Sequence, residues 1–124
     1  MSRILVVDDD RDICELISFK LGSLGHEVIL EHDGEGGLAA AGSTDVDVII
    51  LDWMMPRMTG LEVCAALRAD ESFADVPVIL LTAKAQEADV QRGFAAGAND
   101  YIVKPFSPRE LATRVEALLQ RAAR

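Results

Sequence analysis

The chain is 124 residues long, half hydrophobic but only 5% aromatic, with a formal net charge of −9. That length makes one domain, residues 1–124, the expectation, and it is enough to hold a full core without disulfide or metal staples. The acidic balance argues against direct nucleic-acid binding by this surface, and no apolar run approaches the ~20 residues that cross a bilayer.

"RILVV" (3–7) is an unbroken apolar run after its Arg, the pattern of a strand covered on both faces. Met1-Ser2-Arg3 leads straight into it with no signal-peptide pattern, which sets a cytoplasmic expectation. The run meets Asp8, Asp9 and Asp10. Ile13, Leu16, Ile17, Leu21 and Leu24 then recur at spacings of three and four and mark a helix that Gly25 suits as a stop. "EVILE" (27–31) is a second strand. A short, glycine-loosened helix over 33–43 follows, capped by Asp33.

"VDVIILD" (46–52) is a third strand and "WMMPRMTG" (53–60) a loop. Leu61, Cys64, Ala65 and Leu67 make the next helix, and "VPVILLT" (76–82) the fourth strand. A helix over 86–97 closes at Gly97, and "DYIVK" (100–104) is the fifth strand. The last helix spans 107–123, with Ser107 as cap, Pro108 in its first turn and Glu110 three residues after the cap. Five strands alternating with five helices predict an α/β fold: a parallel sheet with helices on both faces.

Cys14 and Cys64 fall on the apolar sides of predicted helices, without metal-ligand spacing, and read as small core residues. His26 and His32 flank the second strand without a partner motif and read as surface or edge residues. Residues 107–124 are modestly basic, with Arg109, Arg114, Arg121 and Arg124 against Glu110 and Glu116, and read as a solvated face.

In parallel sheets ligands bind beyond the carboxyl ends of the strands. Asp8 and Asp9 follow the first strand here. Asp52 ends the third, Thr82 the fourth and Lys104 the fifth. Singly, each has an ordinary use as a cap, a turn former or a solvated strand end. Together they converge on one edge of the sheet. Three close carboxylates do not all stay ionised unless positive charge joins them. Lys104 supplies one charge, and a hard oxygen-liganded cation such as Mg2+ would supply more. A carboxylate beside Mg2+ can attack phosphorus and form an acyl phosphate, with a hydroxyl and a lysine holding the transferred oxygens.

The motifs "VVDDD", "IILDWMMPRMTGLE", "VILLTA" and "GANDYIVKPF", in this order and spacing, resemble the receiver domain of two-component response regulators over essentially the whole chain. The resemblance implies a flavodoxin-like (βα)5 fold with strand order 2-1-3-4-5. It implies that Asp52 accepts a phosphoryl group from a sensor histidine kinase or phosphotransfer protein. Asp9, Asp52 and the backbone carbonyl of Met54 would ligate Mg2+, and Asp8 would complete the metal site by holding metal-bound water. Lys104 would pair with the acceptor and then with the phosphoryl group. Thr82 would be the switch hydroxyl, and Tyr101 the aromatic that turns inward when Thr82 moves. The surface of the fourth helix, fifth strand and fifth helix would then change and signal to an output domain or partner protein, without membrane contact. The last helix further resembles receivers joined to winged-helix DNA-binding domains. There Asp100, Glu110, Arg114 and Arg121 would help form a homodimer. The chain departs from that group at Asn99, where an acid is frequent, and at Lys84 and Arg92, which do not align cleanly.

Two other classes fit less well. Small aspartyl-phosphate phosphatases carry their nucleophile after the first strand, and nucleotide- or flavin-binding domains need a glycine- or hydroxyl-rich loop where this chain has "DDDRDI". The full Asp, Thr and Lys set also argues against a degenerate receiver that only binds partners.

Overall fold

Alternation along the strands divides the core in two. The computed structural model describes residues 2–122; the sequence expectations at Met1, Ala123 and Arg124 lie outside them. The strands are β1 (Arg3–Val7), β2 (Glu27–Glu31), β3 (Val48–Asp52), β4 (Val78–Thr82) and β5 (Asp100–Val103). The helices are α1 (Arg11–Ser23), α2 (Gly34–Ser43), α3 (Gly60–Ala69), α4 (Glu87–Ala95) and α5 (Pro108–Ala122). All strand pairs are parallel, in the order β2-β1-β3-β4-β5, as the family resemblance implied.

On one face Ile4, Val6, Ile50, Ile79, Leu81 and Ile102 pack under α1 and α5, against Cys14, Ile17, Leu21, Leu111, Val115 and Leu118. On the other, Leu5, Val7, Ile49, Leu51, Val78 and Leu80 pack under α2 and α3, against Ala41, Val63, Cys64 and Leu67. Every residue of β3 and β4 is buried, which explains their continuous apolar reading. Each fully buried aliphatic side chain contributes roughly 1.5–3 kcal/mol relative to exposure. Gly37 lets α2 lie close on β1, since a Cβ there would sit 2.8 Å from a methyl of Val7. Among the described residues no helix is long and apolar enough to cross a membrane.

Capping follows the sequence where side-chain chemistry is local. Asp10 accepts from the N–H groups of Asp12 and Ile13 to start α1, and Asp33 does the same for Gly36 in α2. Gly25 follows α1 with a φ of 93°. Thr59 and Glu62 form a reciprocal capping box on α3 that the sequence reading missed. α4 ends at Ala95, short of the expected 97, and three strand boundaries move inward. β3 begins at Val48 rather than 46, because Asp47 turns to accept from the N–H of Arg3. β4 begins at Val78 rather than 76, where Pro77 has no N–H to donate. β5 ends at Val103 rather than 104, just before the cis Lys104–Pro105 bond. A 3-10 turn over Glu71–Phe73 was not foreseen.

Register aligns the strand ends. Val7 pairs with Leu51, Asp52 with Leu81, and Thr82 with Val103. Asp8, Asp52, Thr82 and Lys104 therefore leave the sheet at one edge.

Candidate functional site

The three consecutive aspartates do three different things. Asp8 is completely buried, Asp9 is exposed, and Asp10 caps α1. Asp8, Asp9 and Asp52 each offer a carboxylate oxygen, and these atoms lie within 4.8 Å of one another. Lys104 reaches over the group, with Nζ 3.0 Å from Asp8 Oδ2 and 3.2 Å from Asp52 Oδ1. The other oxygen of Asp8 accepts from the Asp10 N–H at 2.9 Å. These side chains line a cleft of about 330 Å3 together with Met54, whose side chain is exposed.

Asp52 is only 3% exposed. Burial, and then the neighbouring Asp8 charge, push its carboxyl up to about 7, with Lys104 opposing. Burial alone would lower Lys104. Its hydrogen bond to Asp8 and the charges of Asp52 and Asp8 outweigh that, so its pKa rises. One ammonium thus serves two carboxylates, with a third beside them. That donor set, hard oxygens with surplus negative charge in a small cleft, fits a divalent cation of the Mg2+ type.

Thr82 is fully buried, and its Oγ1 accepts from the N–H of Lys84 at 3.1 Å. Tyr101 is 8% exposed, and its hydroxyl donates to the carbonyl of the same Lys84 at 2.7 Å. Trp53, next to Asp52, is 3% exposed and meets Tyr101 edge to face at 6.3 Å between ring centroids. Lys84 Nζ and Arg92 Cζ lie 5.5 and 5.2 Å from the centre of the indole ring.

Of the four residues expected at a dimer face, three gather within this one chain. Arg114 bonds both oxygens of Asp100, at 2.8 and 3.0 Å, and lies 3.5 Å from Glu110. Arg121 is apart from them, in a cleft with Asp75 and Asn99. The last helix is accordingly less of a plain solvated face than its composition suggested.

Both cysteines are buried and free, as expected. The histidines flank β2, an edge strand, as expected, but each has a partner that the sequence does not reveal. The side chain of His26 is 8% exposed, with Nε2 2.6 Å from Glu116 Oε1. His32 is half-buried, with Nδ1 3.1 Å from the carbonyl oxygen of Asp8. Sequence reading also missed Arg68. Its guanidinium donates to the carbonyls of Gly97, Phe73 and Val76 and to Asn99 Oδ1, tying α3 to the loops before β4 and β5. Asn99 Oδ1 accepts from the Val78 N–H as well, so the residue that departs from the family pattern is part of this brace.

Fold and site together define an α/β domain with an acidic, lysine-covered carboxylate pocket at its strand ends. The response regulator receiver domain family matches residues 4–116. The chain is 46% identical over 124 residues to the DNA-binding dual master transcriptional regulator RpaA of Synechocystis, covering 100% of this chain and 52% of RpaA. It is 44% identical over 119 residues to the DNA-binding response regulator MtrA of Mycobacterium tuberculosis, covering 96% of this chain and 51% of MtrA. The receiver domain of the Francisella response regulator 1452 superposes with a TM-score of 0.92 at 35% identity, covering 98% of both chains. The chain belongs to the response regulator receiver family, whose members are phosphoacceptor signalling domains rather than conventional enzymes. It spans about half the length of the curated relatives it matches.

Proposed function

We propose that Asp52 accepts a phosphoryl group from a sensor histidine kinase or phosphotransfer protein, in a reaction that needs Mg2+. The observation that carries this reading is the convergence of Asp8, Asp9 and Asp52 within 4.8 Å, beneath Lys104. Asp9, Asp52 and the backbone carbonyl of Met54 would hold the metal, and Asp8 would complete the site through water. When bound, Mg2+ offsets the carboxylate charge and favours the approach of an anionic phosphoryl group.

A carboxylate oxygen of Asp52 attacks phosphorus. The bond from phosphorus to the donor's leaving group breaks, and the donor keeps that electron pair. Lys104 shifts from the two carboxylates toward the phosphoryl oxygens. Thr82, the last residue of β4 at the same edge, supplies a hydroxyl donor. Tyr101, already turned inward onto the Lys84 carbonyl, links the site to the surface of α4, β5 and α5. Residues 1–124 act as one receiver unit in a cytoplasmic protein. Its signal passes to an output domain or partner protein, and the names of RpaA and MtrA favour a DNA-binding output. The acidic receiver itself does not bind nucleic acid. A homodimer through the same surface would draw on Asp100, Glu110 and Arg114, which pair with one another within this chain, and on Arg121.

Intact mass spectrometry with acetyl phosphate tests the acceptor. The expected result is one phosphoryl group on the wild type with Mg2+, none with EDTA and none on Asp52→Asn. Uptake that persists in the variant refutes the assignment.

A further inference from the structure

Asp8 is fully buried, so its carbonyl oxygen cannot turn to water and needs protein donors. The β1–β2 ladder does not supply one. Its last bond runs from the Asp8 N–H to the Glu31 carbonyl at 3.1 Å. The chain then leaves the sheet toward Asp33, the cap of α2. Two side chains fill the gap. His32 Nδ1 lies 3.1 Å from the Asp8 carbonyl oxygen, and Cys14 Sγ, one turn into α1, lies 3.3 Å from it.

A carbonyl oxygen only accepts, so both groups donate. His32 carries its proton on Nδ1, and Cys14 is a thiol. Burial, and then the Asp8 charge, push that thiol up to about 11, which agrees. The 3.7 Å approach of Cys14 Sγ to His32 Nδ1 follows from their sharing one acceptor.

The carbonyl they hold belongs to the peptide that joins Asp8 to Asp9. Fixing its plane fixes the start of the Asp9 side chain. At its other end Asp8 is held through its carboxylate by Lys104 and the Asp10 N–H. We propose that His32 and Cys14 are positioning residues for the acidic pair, setting the Asp8–Asp9 peptide so that both carboxylates face the metal-binding cleft. This rests on the Mg2+ reading of that cleft. It assigns work to two residues that do not line the cleft and that the family motifs do not include.

Substitutions in the full chain test it, with Mg2+ affinity read from Trp53 fluorescence and from the Mg2+-induced rise in Tm. His32→Ala is expected to weaken Mg2+ binding about tenfold, the lower end of what loss of an outer-shell partner costs. His32→Asn, whose amide nitrogen can stand where Nδ1 does, is expected to restore binding to within about threefold of wild type. Cys14→Ala, which removes the weaker donor, should show a smaller loss in the same direction. Phosphorylation by acetyl phosphate should return to the wild-type rate at saturating Mg2+ in every variant. Should His32→Ala fail to fold, Cys14→Ala and His32→Asn still decide. A lower Tm in EDTA with unchanged Mg2+ affinity would mean a structural role only and overturns the inference, as does a His32→Asn variant no better than Ala. Wild-type protein that ignores Mg2+ overturns the metal reading itself, and this inference with it.

Discussion

The buried charge at Asp52 has a measurable cost when no metal is present. An ordinary aspartate titrates near 3.8, and burial together with Asp8 pushes Asp52 up to about 7 despite Lys104. The folded state therefore holds this proton more tightly than the unfolded chain does. Stability from this source is complete below about pH 4 and is lost as pH rises through about 7. Above that the ionised carboxylate works against folding, with a ceiling of about 4 kcal/mol set by the gap between the two values. Relaxation of the pocket and water entry reduce this, so about 2 kcal/mol is the working figure. Asp52→Asn keeps the shape and removes the charge. In EDTA at pH 8 it should raise Tm by roughly 5–10 °C for a domain of this size. The advantage should shrink steadily as pH falls and nearly vanish below about pH 3, where wild-type Asp52 is protonated in both states. Adding Mg2+ at pH 8 should raise the wild type more than the variant, because only the wild type has the full ligand set. Thermal melts across pH, monitored by circular dichroism, measure all of this. A variant no more stable than wild type at pH 8, or an advantage independent of pH, would refute the reasoning.

Gly60→Ala should lower stability by about 1–3 kcal/mol or more and slow phosphorylation, because a Cβ there would press on the Asp52 carbonyl and sit 2.8 Å from Trp53 Cα. An unchanged Tm and an unchanged labelling rate would show that this backbone yields freely. Arg57 adopts a φ of 69°, a conformation that costs a side-chain-bearing residue about 1–2 kcal/mol. Arg57→Gly should therefore stabilise by up to about 1 kcal/mol in urea titrations, after glycine's greater unfolded-state freedom is subtracted. The exposed Arg57–Asp33 pair at 3.7 Å is too weak to reverse that sign, and a net loss would show it to be stronger than exposed pairs are.

The fold was legible because its signals are local and repeated. Apolar runs of strand length alternate with helical periodicity, and Asp10, Asp33 and Ser107 cap helices within three residues of themselves. The pocket was legible for a topological reason, since parallel strands put the polar residues after each apolar run at one edge. Assigning roles to Asp52, Thr82 and Tyr101 needed the family resemblance. Contacts between distant backbone and side chain stayed hidden. Arg68 meets carbonyls that any residue would present, and its partner Asn99 is thirty-one positions away. His26 and Glu116 are ninety apart, and nothing in either neighbourhood marks the pair. The glycines of α2 were read as weakness, yet Gly37 is what allows the helix to approach Val7. Composition gives a residue's intrinsic preference, and here close packing outweighs it.

The two residues implied as switches turn out to hold one peptide group between them. Thr82 accepts the N–H of Lys84, and Tyr101 donates to its carbonyl. The inward turn expected of Tyr101 after phosphorylation is thus already made in this structure. Gly93 on α4 leaves the room for it, since a Cβ there would stand 2.9 Å from Tyr101 Cε2. A net hydrogen bond of about 1 kcal/mol and an aromatic contact with Trp53 of similar size hold the ring. Lys84 and Arg92 add their charges over the indole, so the β4–α4 loop is fastened to the residue beside the acceptor as well. Among the described residues the Thr82 hydroxyl accepts from Lys84 and donates to no acceptor, and in the proposed role it would donate to a phosphoryl oxygen on Asp52. Phosphorylation on this chain then has less to rearrange than the simple switch picture requires. In the proposed roles it would add a partner to Thr82 and draw Lys104 away from Asp8, with Tyr101 kept where it is. A two-state element biased toward one arrangement by a few weak contacts responds to a small differential interaction, and in the proposed switch the Lys84 peptide would be where that bias is set.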